Sequence, residues 1–342
     1  MSIDDLRQWS RREFLCGASL TGTGTAALLG VAAGTARAEP APETNRLRLV
    51  QIPTICQAPQ YVAEEFLRGE GFTDLQYVKK EGTAGIEMAL ASGEADINMH
   101  FAASTVIRLD SGDPIVILAG GHIGCYELFA SPDVRSISDL KGRAVAIPAM
   151  GSSEHAFLAS MLAYVGVDPA KDLTWVTQPF SKASRLLEEG KIAALLALPP
   201  RAQELRAKRI GHVIVDSVVD RPWSQYFCCM VLGNREFVRA HPIATKRALR
   251  AILKGADLCA QRPEWAARFM VEKGFTSRYD YALESVRALP YRRWREYDPE
   301  DTVRFYALRL HEAGMIKSTP QKLIANGTDW QFVRALKKEL KG

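Results

Sequence analysis

The chain has 342 residues, 47% of them apolar, with 44 basic and 39 acidic side chains and a formal charge of +5 at pH 7. That length allows one large or two medium domains, and the apolar content is ample for a buried core. The surplus charge is mild and gathers in no basic patch interleaved with aromatics, which excludes a nucleic-acid binder.

The chain opens on Ser10-Arg11-Arg12-Glu13-Phe14-Leu15, two arginines set directly before a hydrophobic pair. An apolar Gly/Ala/Thr-rich stretch runs from Gly17 to Ala33 and ends at Ala36-Arg37-Ala38. Basic head, modest apolar middle and small-residue exit make residues 1–38 a signal peptide of the twin-arginine type. Its apolar part is too short and too glycine-rich for a stable membrane span. The expected route is export in folded form, by the twin-arginine translocase, to the periplasm. Cys16 precedes the apolar stretch, so it does not read as a lipid anchor. Cleavage after Ala38 leaves 304 of the 342 residues and a formal charge of +4.

Five cysteines then remain: Cys56, Cys125, Cys228, Cys229 and Cys259. Their spacing is neither CxxC nor a zinc pattern, and adjacent cysteines such as Cys228 and Cys229 seldom bond to each other. They read as small buried hydrophobes, with one disulfide among the other three left open. No metal and no cofactor is expected.

From Leu47 onward, β-like runs alternate with helical stretches. Strands are expected at 47–52, 75–79, 95–99 and 114–119, and helices at 59–69, 85–92 and 103–111. The pattern restarts at Ser138-Asp139-Leu140-Lys141-Gly142. Strands follow at 144–148, 173–178, 192–198 and 212–216, and helices at 153–165, 181–189 and 203–209. One more β-like run covers Cys228 to Leu232. Helices then fill 242–262, 263–273, 279–288, 299–313 and 329–340, and these are expected to pack mainly on the first unit. Such alternation implies an α/β fold of mostly parallel sheets flanked by helices.

Several short stretches resemble a known family. Ala91-Ser92-Gly93-Glu94-Ala95-Asp96-Ile97 resembles a strand entry of periplasmic solute-binding proteins. Asp139-Leu140-Lys141-Gly142-Arg143-Ala144-Val145-Ala146 resembles the opening of their second lobe, and Gly151-Ser152-Ser153 the loop into that lobe's first helix. Leu187-Glu188-Glu189-Gly190-Lys191-Ile192-Ala193-Ala194 resembles a further strand entry, with Ala194 where an aspartate is common. Ala197-Leu198-Pro199-Pro200 resembles the proline-bearing loop after it. In this order and spacing they resemble the nitrate/sulfonate/taurine group of ABC-transporter substrate-binding proteins, which includes binders of thiamine-pyrimidine precursors.

The resemblance implies a bilobal periplasmic-binding-protein type II fold with two crossover strands. One lobe would be 46–127 with 225–342, the other 128–224. It also implies a non-catalytic receptor that closes on a small molecule and delivers it to an ABC permease in the inner membrane. Two other readings stand beside it. One is an enzyme like the thiamine-pyrimidine synthases, of whose cysteine-rich iron motif Tyr226-Phe227-Cys228-Cys229 is a faint echo; no GxSxG, HExxH or paired-acid motif supports other chemistry. The other is the ligand-presenting subunit of a membrane sensor.

Ligands of open parallel sheets bind beyond the carboxyl ends of the strands, where helix N-termini offer N–H groups. This points to Thr54 and Gln57 after the first strand, Thr83 after the second, and His100 and Phe101 at the third. In the second lobe it points to Ser152, Ser153 and His155. His122 lies near the expected outward crossover, and Trp223 and Tyr226 near the return, placed to stack on a planar ligand. Each has a plainer reading: the threonines, serines and Gln57 as helix caps, the histidines and aromatics as core. No lone arginine is placed to clamp a sulfonate or carboxylate in bidentate fashion. That leaves room for a neutral heterocycle or an aromatic acid.

Overall fold

The computed structural model describes residues 39–340, so the expected signal peptide lies outside the described residues. In the first part of the chain, β1 (Arg46–Gln51), α1 (Ala58–Val62), α2 (Glu64–Gly69), β2 (Asp74–Lys79), α3 (Ala84–Ala91), β3 (Ile97–Phe101), α4 (Ala102–Asp110) and β4 (Ile115–Ile123) alternate. Next come β5 (Glu127–Ala130), β6 (Ala144–Ile147), α5 (Ser153–Tyr164), β7 (Thr174–Thr177), α6 (Phe180–Glu188), β8 (Ala194–Ala197), α7 (Arg201–Lys208) and β9 (His212–Asp216). After β10 (Phe227–Asn234) the chain is helical: α8 (Arg235–Ala240), α9 (Pro242–Gln261), α10 (Pro263–Glu272), α11 (Tyr279–Ala288), α12 (Pro299–Glu312), α13 (Pro320–Gly327) and α14 (Gln331–Glu339).

The strands form two separate layers. In the first, β1 pairs in parallel with β2, and β3, β10 and β4 form a three-stranded sheet with β10 antiparallel in the middle. Side chains join these two pieces: the Val50 amide donates to Asn98 Oδ1 (2.8 Å), and the Arg48 amide to Asp96 Oδ2 (2.7 Å). In the second layer the order is β7-β6-β8-β5-β9, with β6 parallel to β7 and β8, and β5 antiparallel to β8 and β9. Both antiparallel strands, β5 and β10, stand where the chain has just crossed from the other layer.

β4 and β10 are buried along their whole length, which is why each reads as an unbroken apolar run. Glycine permits the close pairing there. A Cβ at Gly120 would sit 2.3 Å from the Phe227 ring, and one at Gly121 2.6 Å from Met99 Cε. The two crossing segments run side by side. Gly124 has φ +60°, and a Cβ on it would meet the Val218 backbone at 2.5 Å. Ser217 Oγ accepts the amides of Cys125 (3.0 Å) and Tyr126 (2.9 Å), tying the two crossings together.

The structure departs from the sequence reading at identifiable points. The expected helix at 59–69 is two helices that meet at Ala63. β4 runs on past Ala119 to Ile123, and β5, α8 and α13 are additional elements. β5 has four residues, too few to show a period-2 pattern. The C-terminal helices also do more than cover the first layer, because α12 packs on both α4 and α5 and so bridges the two layers. Among the described residues, no helix is long and apolar enough to cross a membrane.

Candidate functional site

The two layers meet along a seam built from strand ends and helix N-termini. β3 passes into α4 without a loop, so His100 and Ser104 come from adjoining turns of one continuous segment. His100 Nε2 lies 2.8 Å from Glu87 Oε1 on α3 and 3.2 Å from Ser104 Oγ. Ser104 Oγ in turn lies 3.1 Å from Ser153 Oγ, at the start of α5 in the other layer. The network Glu87–His100–Ser104–Ser153 is buried throughout and spans the seam.

Glu154, the next residue on α5, is 4% exposed, and its Oε2 has no hydrogen-bond partner among the described residues. Burial pushes its carboxyl above the usual range, while Arg201, Ser152 and His100 pull the other way. His100 thus holds the buried Glu87 on its own layer, and through Ser104 and Ser153 the network ends one residue from Glu154 on the other. Ser152 caps α5 by accepting the His155 amide (3.2 Å). His155 Nδ1 accepts the Gly151 amide (3.0 Å), its ring stands edge-on to Trp175, and burial lowers its pKa.

A second junction lies beside the first. Thr54 Oγ1 donates to the Pro199 carbonyl (3.1 Å) beyond β8, and the Ile55 amide reaches the same oxygen at 3.3 Å. Thr54 also touches Cys56 Sγ at 3.1 Å. Gln57 donates from Nε2 to the Met99 carbonyl (2.7 Å) and accepts from the Tyr61 hydroxyl (2.7 Å), so both ends of its amide serve internal bonds.

The four cysteines 56, 125, 228 and 229 converge with His122 under this junction. One ring nitrogen of His122 and the sulfurs of Cys56 and Cys229 lie within 4.8 Å of one another, as do the sulfurs of Cys125, Cys228 and Cys229. Cys229 is common to both groups. Hydrogen bonds from Cys125, Cys228 and Cys56 hold its thiol well below the ordinary range, against the opposing effect of burial. The fifth cysteine, Cys259, is buried elsewhere on α9, and burial raises its pKa. All five are buried and free, as small hydrophobes would be, but four of them are gathered.

The remaining sequence-derived candidates take other positions. Phe101 lies in an aromatic cluster with Tyr126, Phe157 and Tyr306. Trp223 packs edge-on to Phe157, and Tyr226 stacks on Phe305 at 3.9 Å. Their apolar partners are core residues. Thr83 is half-buried at the start of α3 with no side-chain cap. His122 is fully buried at the end of β4, at the cysteine cluster. Sequence reasoning missed Glu87, Ser104 and Glu154. Glu87 and Glu154 are acidic residues inside otherwise apolar helical stretches, and that anomaly is the signal that would have found them.

Residues 57–266, 210 of the 342, match the family described as NMT1/THI5 like. No curated protein sequence matches the chain significantly. The fold is that of solved binding proteins. The periplasmic nitrate-binding protein NrtA from Synechocystis PCC 6803 superposes with TM-score 0.68 at 15% identity, covering 88% of this chain and 90% of that one. The alkanesulfonate-binding protein SsuA from Xanthomonas axonopodis pv. citri, bound to MOPS, gives 0.66 at 15%, covering 86% and 99%. The ligand-binding component of an ABC-type import system from Staphylococcus aureus, with zinc bound, gives 0.68 at 13%, covering 86% and 99%. The two layers are thus the lobes of a bilobal periplasmic-binding-protein fold, and β5 and β10 are its crossover strands.

Proposed function

The chain belongs to the NMT1/THI5-like family, and from that premise we propose that it is a periplasmic solute receptor that closes its lobes on a small molecule and hands it to an ABC permease. The lobes are residues 46–127 with 225–342, and 128–224. Lobe closure by hinge motion is the usual device of this fold. Export by the twin-arginine translocase places the folded receptor where its permease is.

The observation that carries the ligand class is the pair of buried carboxyl groups at the seam. Glu87 is bound to His100 on one lobe, Glu154 follows Ser153 on the other, and Glu154 Oε2 has no partner among the described residues. A buried unpaired acceptor is costly unless a donor reaches it. An anion would meet two buried acids, with the Arg201 charge opposing Glu154, which disfavours nitrate and sulfonate. A planar heterocycle carrying N–H donors, of the aminopyrimidine class, supplies what the site lacks. Thr54, Ser104 and Ser153 close over it, and Thr83, Ser152 and His155 line the approach.

The test is a thermal-shift panel on residues 39–342, refolded to strip carried ligand, with alkyl sulfonates, nitrate, aromatic carboxylates and aminopyrimidines. A ligand at a hundred times its dissociation constant adds about 2.7 kcal/mol of stability. Aminopyrimidines should raise the melting temperature and the anions should not. A shift with nitrate or sulfonate alone overturns the ligand class. A well-folded protein that responds to none of them counts against the receptor reading.

A further inference from the structure

We infer that Cys56, His122 and Cys229, supported by Cys125 and Cys228, form a binding site for one cuprous ion at the hinge between the lobes.

The five donors come from four places in the sequence: the loop after β1, the end of β4, the outward crossover and the start of β10. Only folding brings them together, and it brings all four cysteines of the hinge to one point. The site is dry, with relative exposures of 5% or less for all five residues. Its donors are sulfur and imidazole nitrogen, with no carboxylate in either group. Thiolates and imidazole without a carboxylate select soft ions: Cu(I), zinc or an iron–sulfur cluster.

The histidine is prepared for this role. Its Nδ1 lies 3.0 Å from the Gly124 carbonyl and 3.2 Å from that of Ile123. A carbonyl only accepts, so Nδ1 carries the proton and Nε2 holds the free lone pair. Nε2 is buried and has no partner among the described residues. A backbone carbonyl fixing the far nitrogen of a ligating histidine is the usual outer-shell arrangement of metal sites.

Coordination number decides among the ions. Each set offers three donors within 4.8 Å, and among the described residues no fourth joins either set at that distance. Structural zinc takes four ligands in a tetrahedron, and a cubane or rhombic cluster needs four cysteines spread around it. A trigonal sulfur–nitrogen site suits a closed-shell monovalent ion. On binding, Cu(I) replaces the thiol protons of Cys56 and Cys229, which leave to solvent, and the two Cu–S bonds with the neutral His122 imidazole leave the site with a single negative charge. No electron is transferred in that step. A site so enclosed fills before or while the lobes close, which fits the folded export expected from Arg11-Arg12.

The site stands independently of the receptor reading, because a chain that takes up copper and no solute keeps the one and loses the other. The experiment is an anaerobic titration of the reduced, folded chain (residues 39–342) with acetonitrile-stabilised Cu(I), in competition with a chromogenic Cu(I) chelator. X-ray absorption follows on the loaded protein. One copper per chain, three-coordinate with two sulfurs and one nitrogen, is expected. Cys229→Ser should weaken binding at least ~100-fold, beyond what loss of an outer-shell partner produces. Cys259→Ser, outside the cluster, should leave it unchanged. Circular dichroism identifies any variant that fails to fold, and Cys56→Ser then replaces Cys229→Ser. Failure of the reduced wild-type chain to take up Cu(I), preference for Zn(II) at equal concentration, or a disulfide among these four cysteines in the protein as isolated would each overturn the assignment.

Discussion

The hydroxyl oxygens of Ser104 and Ser153, 49 residues apart in sequence, lie 3.1 Å from each other across the seam between the two lobes. Ser104 also reaches His100 and the Phe101 carbonyl (3.3 Å), so it is anchored to its own lobe while it touches the other. If the lobes open as proposed, this contact breaks, so its loss is expected to fall on closure more than on folding.

Ser153→Ala is therefore expected to lower ligand affinity about 5–10-fold, near 1–1.4 kcal/mol, with little change in melting temperature of the free protein. The double variant Ser104→Ala/Ser153→Ala should cost less than the two single changes together, with a coupling of roughly 0.5–1 kcal/mol. Calorimetric titration of all four proteins gives the cycle. Strict additivity would mean the two hydroxyls do not act as a pair.

His100→Ala should destabilise the protein by about 2–3 kcal/mol, because it leaves the buried Glu87 carboxyl without its donor. Glu87→Gln keeps volume and an acceptor oxygen, so it should cost about 1 kcal/mol or less while still weakening ligand binding. Denaturant unfolding separates the two. Equal losses would show that the bond itself matters little and that the cost is one of packing.

Glu154 gives a pH dependence whose sign is fixed by burial. Its folded pKa is raised, so its contribution to stability is complete below the unfolded value of 4.5 and is lost as pH rises through the folded value. The ligand-free protein should thus lose stability across that interval, and Glu154→Gln should flatten this part of the profile. A ligand donating N–H to Glu154 favours the ionised form, so its affinity should rise over the same interval. Melting curves at a series of pH values, with and without ligand, check both halves. A variant profile that overlays the wild type would remove Glu154 from the account.

Gly255 tests the packing that carries the site. It lies within α9, and a Cβ there would stand 2.1 Å from the Pro59 carbonyl oxygen of α1. Backbone cannot move aside as a side chain can, so Gly255→Ala should cost about 1–3 kcal/mol despite alanine's better helix propensity. Because α1 follows the Thr54–Gln57 loop, the same change should also weaken binding. Unaltered stability in chemical denaturation would show that α1 and α9 separate easily.

The sequence by itself determined the alternation of strands and helices, since apolar runs and their glycine and proline stops are local properties. Leu47 to Ile52, Ser153 to Val165 and Pro242 to Arg262 were legible for that reason. The positions of Ser153 and His155 beyond a strand end followed from the same reading, because helix entry points are marked by caps, whereas His100 lies within β3. The tertiary structure alone decided the crossovers: β5 is too short to carry a period, and the antiparallel sense of β10 follows from the chain's return to the first layer, with Gly120 and Gly121 leaving room for Phe227 and Met99. It alone also brought Ser104 to Ser153 across the seam and gathered the four hinge cysteines with His122. Apart from His122 with Cys125 and the adjacent Cys228 and Cys229, these groups lie far apart in sequence, and no local periodicity relates them. Their meeting is set by the path of two adjacent crossovers, and the chemistry of the seam follows from that path.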